Sequence, residues 1–278
     1  ISLLAVLYAC NSVNRKEEVE VESEFDFGTF KAEFIEAMWE INPISASYQG
    51  VHKYDAQLPI PNEARKEAKL QFTRSWLKRI QKFNYDSLSE SDKIDYHLIE
   101  DDLKSSDFYV NLFKAGEWNP SSYNLGGSFF QVINYQKHSL EKRLEDVNQK
   151  LIQVVAYYEQ AQKNIKQPTK VHTNLAVQQL EGSKSIFNKT LVDSLNASSK
   201  DEEFKIKFQQ KIDIAIAAIE SYKVFLQTEY LDKEYDSTTF RSFRIGEELY
   251  SQKFDAEIQS AYSAKGIFEV AVDEKGDL

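Results

Sequence analysis

The sequence predicts an all-α protein: a multi-helix array of long antiparallel amphipathic helices with little or no sheet. Three observations carry that prediction. In the stretch 139–231 three apolar stripes follow one another at helical spacing; the first is Leu140, Leu144, Val147, Leu151, Val154, Tyr158, Ala161 and Ile165. Alternating steps of four and three keep all of them on one helix face. Glycine and proline, at 9 and 5 of 278 residues, are too scarce for a strand-and-turn architecture. Nor is any run after residue 10 long and apolar enough to cross a bilayer, so the stripes must bury one another.

Taken in order, residues 1–10 read as the remnant of a secretory signal with a lipobox. An apolar run ends in Leu7, Tyr8, Ala9 and Cys10, the small residue letting a peptidase close before the thiol that carries the lipid. The other reading is a buried helix with an inert cysteine. Residues 11–25 form an acidic tether with too little apolar content to fold. Within it Lys16-Glu17-Glu18 resembles the surface-export signal of Bacteroidetes lipoproteins, although an ordinary solvated linker reads the same way. A helical N-terminal domain is expected over 26–278, with its C-terminal end truncated.

Asp26 is placed to cap a helix whose inner face is Phe27, Phe30, Phe34, Met38 and Ile41, ended by Asn42-Pro43. A short helical turn over 44–48 leads into an irregular loop, 50–61, carrying His52, Tyr54 and Asp55. Helix resumes over 63–83, through Ala68, Phe72, Trp76, Leu77 and Ile80. Ser89 then caps another helix through Leu98, Ile99 and Leu103, with acids in its first turn. From Trp118-Asn119-Pro120 past Gly126-Gly127 the sequence predicts its longest non-helical stretch.

The three organising helices follow from Ser139. The second, after Pro168, turns inward Leu175 or Ala176, then Leu180, Phe187 and Leu191; the third carries Phe204, Phe208, Ile212, Ala215, Ile219, Tyr222, Leu226 and Tyr230. A link over 237–243 leads to a helix at 246–262. Ser263 caps a last face made of Ile267, Phe268, Val270, Ala271 and Leu278.

With 42% hydrophobic residues, 18 Phe and 15 Tyr, the chain can bury a core built on rings. A net charge of -10 argues against nucleic acid, whose phosphates need basic stripes, and a single cysteine excludes an internal disulfide. The four histidines are followed by Lys53, Leu98, Ser139 and Thr173, so the His-Glu-x-x-His helix of a zinc peptidase is absent from this chain. His97 and Asp101 stand one turn apart and offer a possible metal pair or a solvated face. Glu247-Glu248 suits a helix dipole, and the acids Glu100-Asp101-Asp102 point in different directions, so neither run makes an acid–base pair. Asn188-Lys189-Thr190 and Asn196-Ala197-Ser198 match the glycosylation acceptor pattern, an accident in a bacterial protein. His52, Tyr54 and Asp55 either line a pocket or cap helix ends, and the arginines of Phe240-Arg241-Ser242-Phe243-Arg244 either hold a substrate carboxylate or answer nearby acids.

Five stretches in register carry a resemblance. They are Asn42-Pro43 leading to Gly50-Val51-His52-Lys53-Tyr54-Asp55, and Leu88-Ser89 with Asp92-Lys93-Ile94-Asp95. Next come Trp118-Asn119-Pro120-Ser121-Ser122-Tyr123 and Pro168-Thr169-Lys170-Val171-His172-Thr173, then Phe243-Arg244-Ile245-Gly246-Glu247-Glu248-Leu249-Tyr250 with Lys253-Phe254. From about residue 30 onward the chain resembles the bacterial domain-of-unknown-function 885 family, whose members are often lipoproteins and which is grouped with gluzincin-type zinc metallopeptidases. The resemblance implies a zinc-dependent peptidase as the full-length protein, its zinc motif lying in a C-terminal half beyond this chain. No catalytic or metal residue is then expected here, and His52, Tyr54, Asp55, Arg244 and Tyr250 would wall a cleft facing the zinc helix.

The function expected from these readings is the helical N-terminal part of an exported peptidase, tethered through Cys10 to the outer membrane of the cell envelope and handling peptide substrates. The alternative is a non-catalytic helical surface lipoprotein that binds peptides or glycans; a third reading is an envelope scaffold whose stripes engage partner helices.

Overall fold

The structure, a computed structural model, describes residues 26–233 and 239–276. The lipobox with Cys10 and the acidic tether lie outside the described residues. Among those described, every regular element is helical and no strand occurs.

The first unit is built on rings. Helix α1 (Phe27–Ile41) begins where the Asp26 carboxylate accepts from the Thr29 amide at 3.0 Å, and it ends at Asn42, just before Pro43 opens α2 (Pro43–Tyr48). Its buried Phe27, Phe30 and Phe34 pack on α3 (Glu63–Ile80) and α4 (Glu90–Phe108) through Trp76, Ile80, Ile99 and Leu103. Phe30 and Phe34 each meet Trp76 edge-on with ring centroids 5.4 Å apart, the favoured arrangement for aromatic quadrupoles. Lys31 reaches from α1 to both Asp92 (2.7 Å) and Asp95 (2.6 Å) on α4, which Ser89 caps.

The larger core is the predicted three-stripe bundle. The first stripe is divided into α7 (Leu140–Leu151) and α8 (Val154–Asn164), where the Gln153 amide bonds back three residues to Lys150 at 3.2 Å and tightens one turn. The apolar face runs on across that turn, since Leu144, Val147, Leu151, Val154, Tyr158 and Ala161 are all buried. On α9 (Lys170–Ser185) the inward residue is Ala176, while Leu175 faces outward. A π turn, Ile186–Leu191, carries Phe187 and Leu191 into the core before α10 (Val192–Ala197). Helix α11 (Glu202–Leu226) lies against α7, α8 and α9 and buries Phe208, Ile212, Ala215, Ile219, Tyr222 and Leu226 completely.

The expected non-helical stretch after Trp118 is a correction. It leaves the end of a single turn, α5 (Ala115–Trp118), and contains a 3-10 turn at Pro120–Tyr123 and then α6 (Gly126–Ile133). Two glycines disfavour a helix locally, but burying Leu125, Phe129, Val132 and Ile133 outweighs that preference. At Gly126 a side chain is sterically excluded: a Cβ there would lie 2.6 Å from the Ser183 hydroxyl of α9. After the bundle, α12 (Glu247–Ile258) leans on α4 and is followed by α13 (Ala264–Gly276), which Ser263 caps through the Gly266 amide at 3.0 Å. Neither helix has a buried residue.

Candidate functional site

Three places were open to chemistry, and the loop carrying His52, Tyr54 and Asp55 is the first. Gly50 turns the chain at a φ of 83°, after which 52–54 form a 3-10 turn packed on α2. Asp55 is buried and bonded on both oxygens: the Ser47 hydroxyl donates to Oδ1, and His52 Nδ1 lies 2.8 Å from Oδ2. The carboxylate therefore sits between serine and histidine. A nucleophilic triad needs the histidine in the middle to take the hydroxyl proton, so this cluster does not activate Ser47. Instead it fixes the loop. The His52 ring stacks on Tyr135 at 3.3 Å between centroids, with Nε2 buried and unbonded. Tyr54 turns its hydroxyl to Glu36 Oε1 at 2.5 Å, which raises its pKa.

Beneath this loop lies a group the sequence reading missed. Lys150 is buried at the end of α7, its Nζ 3.2 Å from the Ser128 carbonyl. Burial lowers its pKa to about 8, with the carboxylates of Asp55 and Asp146 opposing the shift. The one available signal was Asp146 and Lys150 one turn apart, inside a stripe otherwise apolar.

The second place is a junction around Trp118, where three of the resembling stretches meet. Trp118 donates its indole N–H to the Phe113 carbonyl at 2.8 Å, and its ring faces His172 at 5.5 Å and the guanidinium of Arg241 at 4.9 Å. Thr169 binds the Trp118 carbonyl through its amide at 3.1 Å, and Arg241 binds the Pro168 carbonyl in the same way, also at 3.1 Å. Phe243 stands 5.4 Å from the His172 ring, whose pKa burial lowers. Arg244 and Tyr250 are exposed, on or beside α12. That helix leans on α4 whereas His52 and Tyr54 pack on α2, so the five expected cleft residues form two separate groups.

The third place is a cavity of about 520 Å³ between the start of α3, the turn around Lys114 and the end of α8. Its size falls within the roughly 300–1,000 Å³ of small-ligand sites. Arg65 and Lys69 stand one turn apart on α3 and also line a second cavity of about 200 Å³ beside Asn42 and Pro43. Opposite them, the Asn164 amide nitrogen donates to the Pro61 carbonyl at 2.7 Å and to the Tyr123 hydroxyl at 3.2 Å. The Tyr123 hydroxyl in turn donates to Gly116 at 2.7 Å, so this wall is fixed before anything binds. Tyr109 sits at the border with α12 and donates to Glu257. Sequence reading missed this cavity too, because each of its lysines looks like part of a solvated helix face.

The described residues do not make a zinc site. Among the described residues, no three of His, Cys, Asp and Glu stand close enough to hold a metal ion. His97, one of the candidate metal pair, lies 2.9 Å from the Tyr85 hydroxyl, and His172 lies 2.6 Å from the Thr169 hydroxyl. No helix among the described residues is long and apolar enough to cross a membrane.

The family described as "Bacterial protein of unknown function (DUF885)" matches residues 43–278, starting later than the expected position near residue 30. A solved structure of a candidate lipoprotein of unknown function from Shewanella oneidensis is similar over most of the chain. It has 38% identity and a TM-score of 0.86, covering 91% of this chain and 46% of that one. The chain thus spans less than half the length of the Shewanella protein. No curated protein matches it.

Proposed function

The chain belongs to the DUF885 family of bacterial proteins, and we propose that it is the helical half of an exported, lipid-anchored peptidase whose catalytic metal is held by residues outside this half. The observation that carries the reading is the uncovered apolar surface of α12 and α13. Tyr250 and Ile258 on α12 and Phe268, Val270 and Val272 on α13 are all more than half exposed, as are Phe243 and Tyr262 in the segments that precede the two helices. Large apolar side chains exposed along two successive helices, neither of which buries a residue, are read here as a surface to be covered. The Shewanella protein has more than twice the matched length, and in this reading the remainder of such a longer protein, placed after this half, is the occupant.

In this reading the division of labour is physical. The ring-built and three-stripe cores hold a rigid wall, the Trp118 junction fixes the link into α12, and α12 and α13 seat the second half. A peptide enters between the halves, and zinc, when bound by that second half, would polarise the scissile carbonyl or activate water. The membrane tether is Cys10, acylated on the outer membrane. The second reading, a lipoprotein that binds peptides without cleaving them, is kept by the cavity, which is formed within this half alone.

The test is to express the longer protein and assay hydrolysis of a mixed peptide pool with and without a zinc chelator. Metal-dependent cleavage, absent from the 278-residue chain alone, is the expected result. A longer protein with neither bound metal nor cleavage contradicts the peptidase reading and leaves the binding one.

A further inference from the structure

The cavity between α3 and α8 is anomalous in its charge. The chain as a whole carries -10, yet Arg65, Lys66, Lys69, Lys114, Lys163 and Lys166 line this one space against only Glu63 and Glu117. Three of the six cations are answered: Lys66 lies 3.6 Å from Glu63, Lys166 lies 2.8 Å from Glu117, and Arg65 donates to the Ile41 carbonyl. Lys69, Lys114 and Lys163 have no carboxylate at ion-pair distance among the described residues.

Lys114 and Lys163 are exposed at the rim of this space, whereas at Lys69 and Arg65 burial opposes the charge. Lys69 is half-buried beside Arg65; burial, and then the charge of Arg65, hold its ammonium below the ordinary lysine range. Lys114 closes a π turn, Tyr109–Phe113, and sits in the left-handed region at a φ of 48°, which glycine or asparagine adopts at less cost. Pro61, Val110 and the Tyr109 ring add apolar wall next to the cations.

We propose that this cavity binds the free carboxylate end of a peptide, the carboxylate between Lys69, Lys114 and Lys163 and the last side chain against Pro61, Val110 and Tyr109. A carboxylate supplies the missing anion through charge-assisted hydrogen bonds. Inorganic phosphate would answer the charges and leave the apolar wall uncovered, so the two are separable. The peptide identity of the ligand rests on the function proposed above; the charge and shape of the site do not.

The experiment is calorimetric titration of the 278-residue chain at low ionic strength with three ligands: an N-acetylated tripeptide bearing a free C-terminus, the same tripeptide as its C-terminal amide, and inorganic phosphate. The acid is expected to bind, the amide at least about tenfold more weakly, and added salt is expected to weaken the acid's binding. Lys69→Gln and Lys163→Gln should each lose about tenfold in affinity for the acid, while Lys189→Gln, away from the cavity, leaves it unchanged. Melting curves show that the variants are folded, and Lys163, being exposed, tolerates its change. Equal binding of acid and amide, phosphate binding as tightly as the peptide, no binding of the acid, or folded Lys69 and Lys163 variants with wild-type affinity each overturn the proposal. The two proposals fail separately. Peptidase activity in the longer protein without a carboxylate preference here sinks only this one, and carboxylate binding in a longer protein that cleaves nothing sinks only the other.

Discussion

Tyr222 and Phe268 are both aromatic residues on amphipathic helices, yet the first is 0% exposed and the second 68%. The difference is company. Tyr222 lies on α11, enclosed by α7, α8 and α9, with its ring 5.2 Å from that of Tyr158 and its hydroxyl donating to the Pro120 carbonyl at 3.2 Å. Phe268 lies on α13, whose principal neighbour is α12, itself without a buried residue. The same sequence grammar thus makes a core where stripes face stripes, and leaves a bare face where no stripe among the described residues faces it. Amphipathicity predicts that a face must be covered but not by what.

The comparison can be broken first at the core. Phe208→Ala, at a fully buried position, is expected to lower the free energy of unfolding by about 3–5 kcal/mol in a urea titration. A smaller loss than at any α13 position would show that the bundle is not the stabilising unit. Next is the latch under the 52–55 loop. Asp55→Ala leaves His52 Nδ1 unpaired and removes a carboxylate facing Lys150, so a loss of about 3 kcal/mol is expected. His52→Ala, which leaves Asp55 its serine donor, should cost less.

Lys150 sharpens the comparison through pH. Its pKa is about 8 in the folded chain against 10.5 for the ordinary group. Between those values the unfolded chain binds more protons than the folded one, so this residue makes stability rise with pH across that window. Below it, where both states are protonated, the burial penalty is fully present. From pH 8 to 9.5 the contribution is about 2 kcal/mol, and it should be missing from the stability curve of Lys150→Met. A wild-type and variant with identical slopes over that interval would place Lys150 in water instead. The smallest effect belongs to the bare face: Phe268→Ala in the 278-residue chain should change stability by no more than about 0.5 kcal/mol.

Legibility from sequence followed the same divide. The three stripes were readable because local periodicity and burial agree, and the caps Asp26 and Ser89 because each acts within three residues. Leu175 against Ala176 could not be chosen, since both fit the spacing and only packing decides. Helix α6 was hidden by Gly126-Gly127, whose small size serves the close approach of α9 rather than a turn. His52 and Asp55 stood out as polar loop residues that line a pocket or cap helix ends, but not as a buried pair that latches the loop. Least legible was the cationic cavity. Its walls come from α3, the Lys114 turn and α8, and no local pattern records that residues about a hundred positions apart, such as Pro61 and Asn164, share a hydrogen bond.

The central claim is that α12 and α13 are covered by the second half of a longer protein. Hydrogen–deuterium exchange over 247–276, compared between the 278-residue chain and the longer protein, tests it most directly. The account predicts fast exchange of these amides in the shorter chain and strong protection in the longer one, with the α11 amides equally protected in both. Equal exchange over 247–276 in the two proteins would contradict it.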